Sequence, residues 1–161
     1  MLLVETRCAA QAHHDDELVL PFDLRQKSRL RTRLASGEEL GLFLERGSVL
    51  RGGDYLKSND GRVIRVIAAP EAVLKVTCSS PLALTRAAYH LGNRHVPVEV
   101  GDGWLLLCTD HVLADMLRGL GASVTEEKSP FEPESGAYGG GHQHHTEGGH
   151  GGLIHEFRSS S

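Results

Sequence analysis

The chain has 161 residues, 40% of them apolar and 24% charged, with a formal net charge of −4. That length fits one ordinary domain or two small ones, and so small a charge argues against nucleic acid or a membrane surface as the main partner. The opening MLLVETRCAAQAHHDDELVL lacks a basic start and is broken by Glu5 and Arg7, so no signal peptide is read there, and no run reaches the ~18 apolar residues of a spanning helix.

In chain order, Leu18-Val19-Leu20 reads as a short strand after the acidic stretch His13-His14-Asp15-Asp16. Two imidazoles and two carboxylates can coordinate a cation, but a solvated loop is the expected reading. In SRLRTRLA, Leu30, Thr32 and Leu34 alternate with Arg29, Arg31 and Arg33, a period of two that places apolar groups on one face of a strand. Ser36-Gly37-Glu38-Glu39 is a turn and LGLFLER the returning strand of a hairpin. Gly52-Gly53 and Asn59-Asp60-Gly61 mark further turns, and RVIRVIAA is another β-branched run. Residues 1–71 are therefore expected to form an all-β domain, a small sandwich or barrel. The basic series Arg25, Lys27, Arg29, Arg31 and Arg33 is expected to be exposed. It lacks interleaved aromatics, so an acidic protein partner fits it better than nucleic acid.

The pattern changes at Pro70. VLKVTC is a strand; Ser80 is placed to cap a helix with Pro81 at its first position. LALTRAAYHL sets Leu82, Leu84, Ala88 and Leu91 on one helical face, with Gly92 as the expected stop. VPVEV and WLLLC flank the turn Gly101-Asp102-Gly103 as a hairpin, and Thr109 or Asp110 caps a second helix, HVLADMLRGL. ASVTEE is a last strand. The order β-α-β-β-α-β over residues 72–128 predicts a ferredoxin-like domain, making the fold class α+β. The cysteines Cys8, Cys78 and Cys108 are odd in number and widely spaced, which fits reduced thiols of a cytoplasmic protein, with Cys78 and Cys108 as buried small hydrophobes.

From Ser129 to Ser161 the chain is proline, glycine, histidine and glutamate, a composition that cannot offset the entropy of ordering, so a disordered tail is expected. GGGHQHHTEGGHGG carries His142, His144, His145 and His150, with His155 just beyond. Neutral imidazole is a common ligand for nickel, copper and zinc, and glycine lets the backbone wrap an ion. A purification tag is the bland alternative. The interruptions at Gln143, Thr146 and Glu147, and the apolar Leu153, Ile154 and Phe157 that follow, argue for a native metal-binding arm.

YHLGNRHVPVEV contains His90 on the first helix and His95 in the loop after it. Taken alone, a loop histidine is most often a surface hydrogen-bonding residue. The stretch, however, resembles the signature of the UreE family, the nickel chaperones of urease maturation. RQKSRLRTRL, ERGSVLRGGDYL, DHVLADMLRGLGASV and PFEPESGAYGGGHQHH are similar to other segments of that family, so the likeness spans most of the chain. The resemblance implies a homodimer paired through the ferredoxin-like domains, with His95 meeting its symmetry mate to bind Ni²⁺; Cu²⁺ or Zn²⁺ can take the same ligands. It makes His142 and His144 the leading tail ligands, followed by His145, His150 and His155. Some relatives carry a His-x-His pair before the second helix; here Thr109-Asp110-His111 keeps only His111, which puts an auxiliary site there in doubt. The implied partners are the urease apoprotein and its accessory proteins, including the maturation GTPase, with no nucleic acid and no membrane. No HExxH, GxSxG or phosphate loop is present, so a non-enzyme is expected. A general divalent-metal store without a dedicated recipient is the alternative.

Overall fold

A computed structural model describes residues 1–136 of the chain. Its first half holds six strands, β1 (Leu2–Cys8), β2 (Asp16–Leu20), β3 (Arg29–Arg33), β4 (Glu39–Phe43), β5 (Tyr55–Ser58) and β6 (Val63–Ala68), with the short helix α1 (Phe22–Arg25) between β2 and β3. They form one sheet in the order β2-β6-β5-β1-β4-β3, in which β1 runs parallel to β4 and β2 to β6. The expected β3–β4 hairpin is present, Arg29 facing Phe43 and Arg33 facing Glu39. Just beyond β3, Ala35 N–H donates to the Glu17 carbonyl at 2.8 Å, drawing the two outer strands of the sheet together. The result is strand-rich and barrel-like. Its core follows the two-residue period: Leu2 and Val4, Leu18 and Leu20, Leu40 and Leu42, Ile64 and Val66 all point inward.

The second half runs β7 (Pro70–Thr77), α2 (Pro81–Asn93), β8 (Glu99–Val100), β9 (Leu105–Cys108), α3 (His111–Gly119) and β10 (Ser123–Pro130). Its sheet has the order β10-β7-β9-β8, every neighbour antiparallel. Leu74, Val76, Leu105 and Leu107 face Ala87 and Leu91 of α2 and Leu113, Ala114 and Leu117 of α3. The opposite face is also covered: Val73 and Leu106 pack with Phe131, Trp104 and Phe22. That double burial explains why Leu105-Leu106-Leu107 is an unbroken apolar run.

Four expectations need correction. The last strand continues through Ser129 and Pro130, which pair with Glu71 and Pro70, and Phe131 is fully buried, so the folded body extends past residue 128. Arg25 is not on an exposed basic face; it lies in α1 and is fully buried. Leu82 does not share the buried face of α2 but is 59% exposed. Cys108 is exposed rather than a core residue: it closes β9, where the burial of Leu105, Leu106 and Leu107 on the two covered faces ends.

Residues 131–135 have no regular structure, so their ordering needs other support. Holding five residues costs on the order of 5–10 kcal/mol. The Phe131 ring returns about 2 kcal/mol, and hydrogen bonds at about 1 kcal/mol each supply the remainder. Those bonds run from Arg25 to the Phe131 carbonyl and Glu132 carboxylate, and from Gly52, Arg51, Glu132 and Glu134 N–H groups to Glu132, Ser135, Glu99 and Val98 respectively.

Candidate metal centre

Helix α2 starts as its residues dictate: the Ser80 hydroxyl accepts from Ala83 N–H at 3.1 Å and Pro81 occupies the first turn. Its other end departs from expectation. Gly92 lies inside the helix, and the chain leaves it through Arg94 and His95, whose N–H groups donate to the Leu91 and Gly92 carbonyls at 3.1 Å each. His95 takes φ +55°, the one non-glycine residue with positive φ among the described residues. A left-handed backbone costs a side-chain-bearing residue about 1–2 kcal/mol, and such strain concentrates at functional positions. The imidazole of His95 is exposed and has no hydrogen-bond partner among the described residues.

Beside this loop lies a cavity of about 140 Å³, lined by Val96 and Pro97 on one side and by Cys108, Asp110 and Leu113 on the other. The donors there are committed or protonated. Asp110 caps α3, its carboxylate accepting from Leu113 N–H at 3.0 Å. Partial burial, with the Glu71 and Asp23 carboxylates adding to it, pushes the Cys108 thiol above its ordinary range, so the sulfur must lose a proton before it ligates. His111 sits exposed at the start of α3.

The other histidines are scattered. His90 is exposed in the last turns of α2, its ring edge-on to Tyr89 at 5.5 Å. His14 contacts Glu17 at 3.2 Å, while Asp15 accepts from Val63 N–H and Asp16 from Glu17 N–H, which spends both carboxylates on loop structure. Among the described residues no three histidine, cysteine, aspartate or glutamate side chains gather where they could hold an ion. His142, His144, His145, His150 and His155 lie outside the described residues.

What the folded body offers is thus an exposed imidazole on a strained helix end, in a domain whose helices also carry uncovered apolar side chains. Leu82 is 59% and Tyr89 66% exposed on α2, and Val112 is 54% exposed on α3. Two family models match the chain end to end: the N-terminal domain of the UreE urease accessory protein over residues 4–69, and its C-terminal domain over residues 71–158. The chain belongs to the UreE urease accessory protein family.

The two matches meet where β6 gives way to β7, and the second takes in all five tail histidines. Among curated relatives, the urease accessory protein UreE of Ectopseudomonas mendocina is 54% identical over 98% of both chains. That of Azotobacter vinelandii is 55% identical over 92% of this chain and 90% of its own. That of Pseudomonas savastanoi pv. phaseolicola is 57% identical with the same coverage. Family membership says which process the chain serves; the chemistry has to come from its donors. Sequence reasoning put Leu82 on the buried face, although a 3.6-residue period sets it opposite Leu84, Ala87 and Leu91, and it missed the hydrogen bonds that hold residues 131–135, whose partners are remote in sequence.

Proposed function

We propose that the chain is a nickel chaperone of urease maturation, a cytoplasmic homodimer that is not itself an enzyme. Its second domain is read as ferredoxin-like. Two copies pair through that domain, so the two His95 imidazoles meet across the symmetry axis and share one Ni²⁺. His142 and His144, with His145, His150 and His155, collect the ion and complete its shell. His111 is a weaker candidate, since its neighbours are the capping Asp110 and the protonated Cys108.

The observation that carries the reading is His95 itself: an exposed imidazole in a left-handed conformation that glycine would adopt at less cost. A two-fold axis turns one such residue into a pair of ligands. A ligand set assembled across an axis suits an ion held for transfer, whereas catalysis needs a rigid set with one open position. Transfer proceeds by exchange, one imidazole at a time yielding to a ligand of the recipient, the urease maturation assembly and its GTPase. Imidazole does not by itself select nickel, because Cu²⁺ binds the same donors more tightly; supply and partner choice make the selection.

Calorimetric titration with Ni²⁺ tests this on the full chain. His95→Ala is expected to remove the tightest site and leave weaker binding by the tail. Replacing the five tail histidines with alanine is expected to weaken the His95 site and lower stoichiometry. Unchanged affinity and stoichiometry with all six positions replaced would refute the proposal.

A further inference from the structure

We infer that residues 131–135 are a brace that positions His95: anchored on Arg25 and Gly52, they hold Val98 and Glu99 at the far end of the short, stiff link that carries the imidazole. This rests on the nickel reading above, and among its ligands on His95 alone.

The brace starts from a fixed point. Phe131 is fully buried with Val73 and Leu106, and Phe22 and Trp104 pack against them. Arg25, also fully buried, donates through Nε to the Leu20 carbonyl at 3.0 Å and through Nη1 to the Leu50 carbonyl at 3.1 Å. The same guanidinium donates to the Phe131 carbonyl and to the Glu132 carboxylate. The other Glu132 oxygen accepts from Gly52 N–H at 3.1 Å. From this anchor the brace reaches the segment that follows His95. Glu132 N–H donates to the Glu99 carboxylate at 2.9 Å, and Glu134 N–H to the Val98 carbonyl at 2.8 Å.

Few degrees of freedom separate that carbonyl from His95. Only Val96 and Pro97 lie between them. The proline ring fixes its own φ at about −65°, and it disfavours helical backbone at Val96. A shift of Val98 is therefore passed to His95 with little slack. Packing does not take over the task. Val96 and Val98 are only partly buried, and a cavity of about 140 Å³ opens between Val96 and Pro97 on one side and Cys108, Asp110 and Leu113 on the other. A metal ligand has to be held to within about 0.5 Å, and a two-fold axis doubles any displacement of His95 away from it. A buried ion pair is a poor way to gain stability, since apolar residues of the same volume hold a junction as well. What Arg25 and Glu132 supply is register for a stretch that no sheet or helix aligns.

Glu134→Pro tests this, because it removes the N–H that bonds Val98 while the Glu134 side chain is exposed. Nickel dissociation constants are measured by calorimetry on four full-length proteins: the unaltered chain, Glu134→Pro, His95→Ala and the two together. We expect Glu134→Pro to raise the constant about tenfold where His95 is present, the low end of what losing a supporting partner costs a metal site. It should leave the residual binding of His95→Ala unchanged. Amide hydrogen exchange gives a second readout. His95 N–H, bonded to the Gly92 carbonyl at 3.1 Å, should exchange faster, while the amides of β9 keep their protection. Should Glu134→Pro fail to fold, Glu132→Gln weakens the anchor at nearly constant volume and carries the same expectations. A dissociation constant that does not change, or a His95 amide that exchanges no faster, overturns the brace. So does an equal loss in both backgrounds, which marks a general loss of structure. A His95→Ala chain that binds nickel as the unaltered chain does is a different failure: it removes the nickel reading, and the role of the brace with it.

Discussion

Helices that close through a left-handed residue mostly use glycine there, because a Cβ crowds the following carbonyl. In α2 the nearby glycine, Gly92, is spent inside the helix and His95 takes the left-handed position at φ +55°. Stability and metal binding should therefore pull in opposite directions at this residue. His95→Gly is expected to be more stable than His95→Ala by about 1 kcal/mol in urea unfolding, although glycine has the floppier unfolded chain. Neither variant should keep the tightest nickel site. Equal stability of the two would mean that the helix end carries no strain. The GNRH context singled out His95, which the fold sets apart by its backbone, but Gly92 was the wrong stop signal, since a glycine marks a helix end only when the chain turns there. Arg25 was misplaced for a related reason. The two-residue period of Arg29, Arg31 and Arg33 is real, with all three exposed on β3, but it does not extend backwards through α1, where 3.6 residues per turn directs Arg25 inward.

Among the elements, those bounded by capping or turn residues were readable, down to the short β8 and β9, whereas β1 and α1 were not. The capping serine and proline of α2 and the capping Asp110 of α3 did what those residue types do. Strand β1 escaped notice because only Leu2 and Val4 alternate before Glu5, and a register shift between Val4 and Thr6 interrupts its pairing with β5. The end of β10 and residues 131–135 look like the start of the tail because Pro130, Glu132 and Pro133 resemble a linker; their partners, Arg25, Gly52 and Glu99, are remote in sequence. Residues 131–135 also give Glu99 a measurable signature. Burial, and the Glu132 carboxylate beside it, hold the Glu99 carboxyl above the ordinary value of 4.5, against the pull of the Glu132 N–H and of Arg25 and Arg51. The folded state thus keeps this proton to higher pH than the unfolded chain does. Its contribution to stability is present below pH 4.5 and declines as pH rises through the window up to the folded value. The stability of the unaltered chain minus that of Glu99→Gln should fall across that window and level off above it. A difference that climbed with pH would mean that the carboxylate is stabilised where it sits.

At the scale of the whole molecule, the folded body of one chain presents His95 on a strained helix end, leaves Leu82, Tyr89 and Val112 exposed on the same domain, and holds no complete metal site among its described residues. Apolar groups clustered at a surface are usually covered by something, and a second copy of the chain covers them while doubling His95. If the ion sits on that boundary, metal and self-association are linked: whatever binds the dimer and not the monomer must tighten the dimer. At free Ni²⁺ 100 times its dissociation constant, the dimer dissociation constant should drop about 100-fold. Sedimentation velocity over a dilution series, with Ni²⁺ and with a chelator, reads this directly. His95→Ala should abolish the nickel dependence and leave the metal-free association as it was, because the apolar contacts on α2 and α3 remain. Lowering the pH below about 6.5 should weaken the nickel effect in the unaltered chain, since imidazole binds a metal only when neutral. Tyr89→Glu should do the reverse of His95→Ala, breaking association in the chelator. A chain that stayed monomeric at every protein and nickel concentration would place the ion within one subunit, and the strained His95 would then need another purpose.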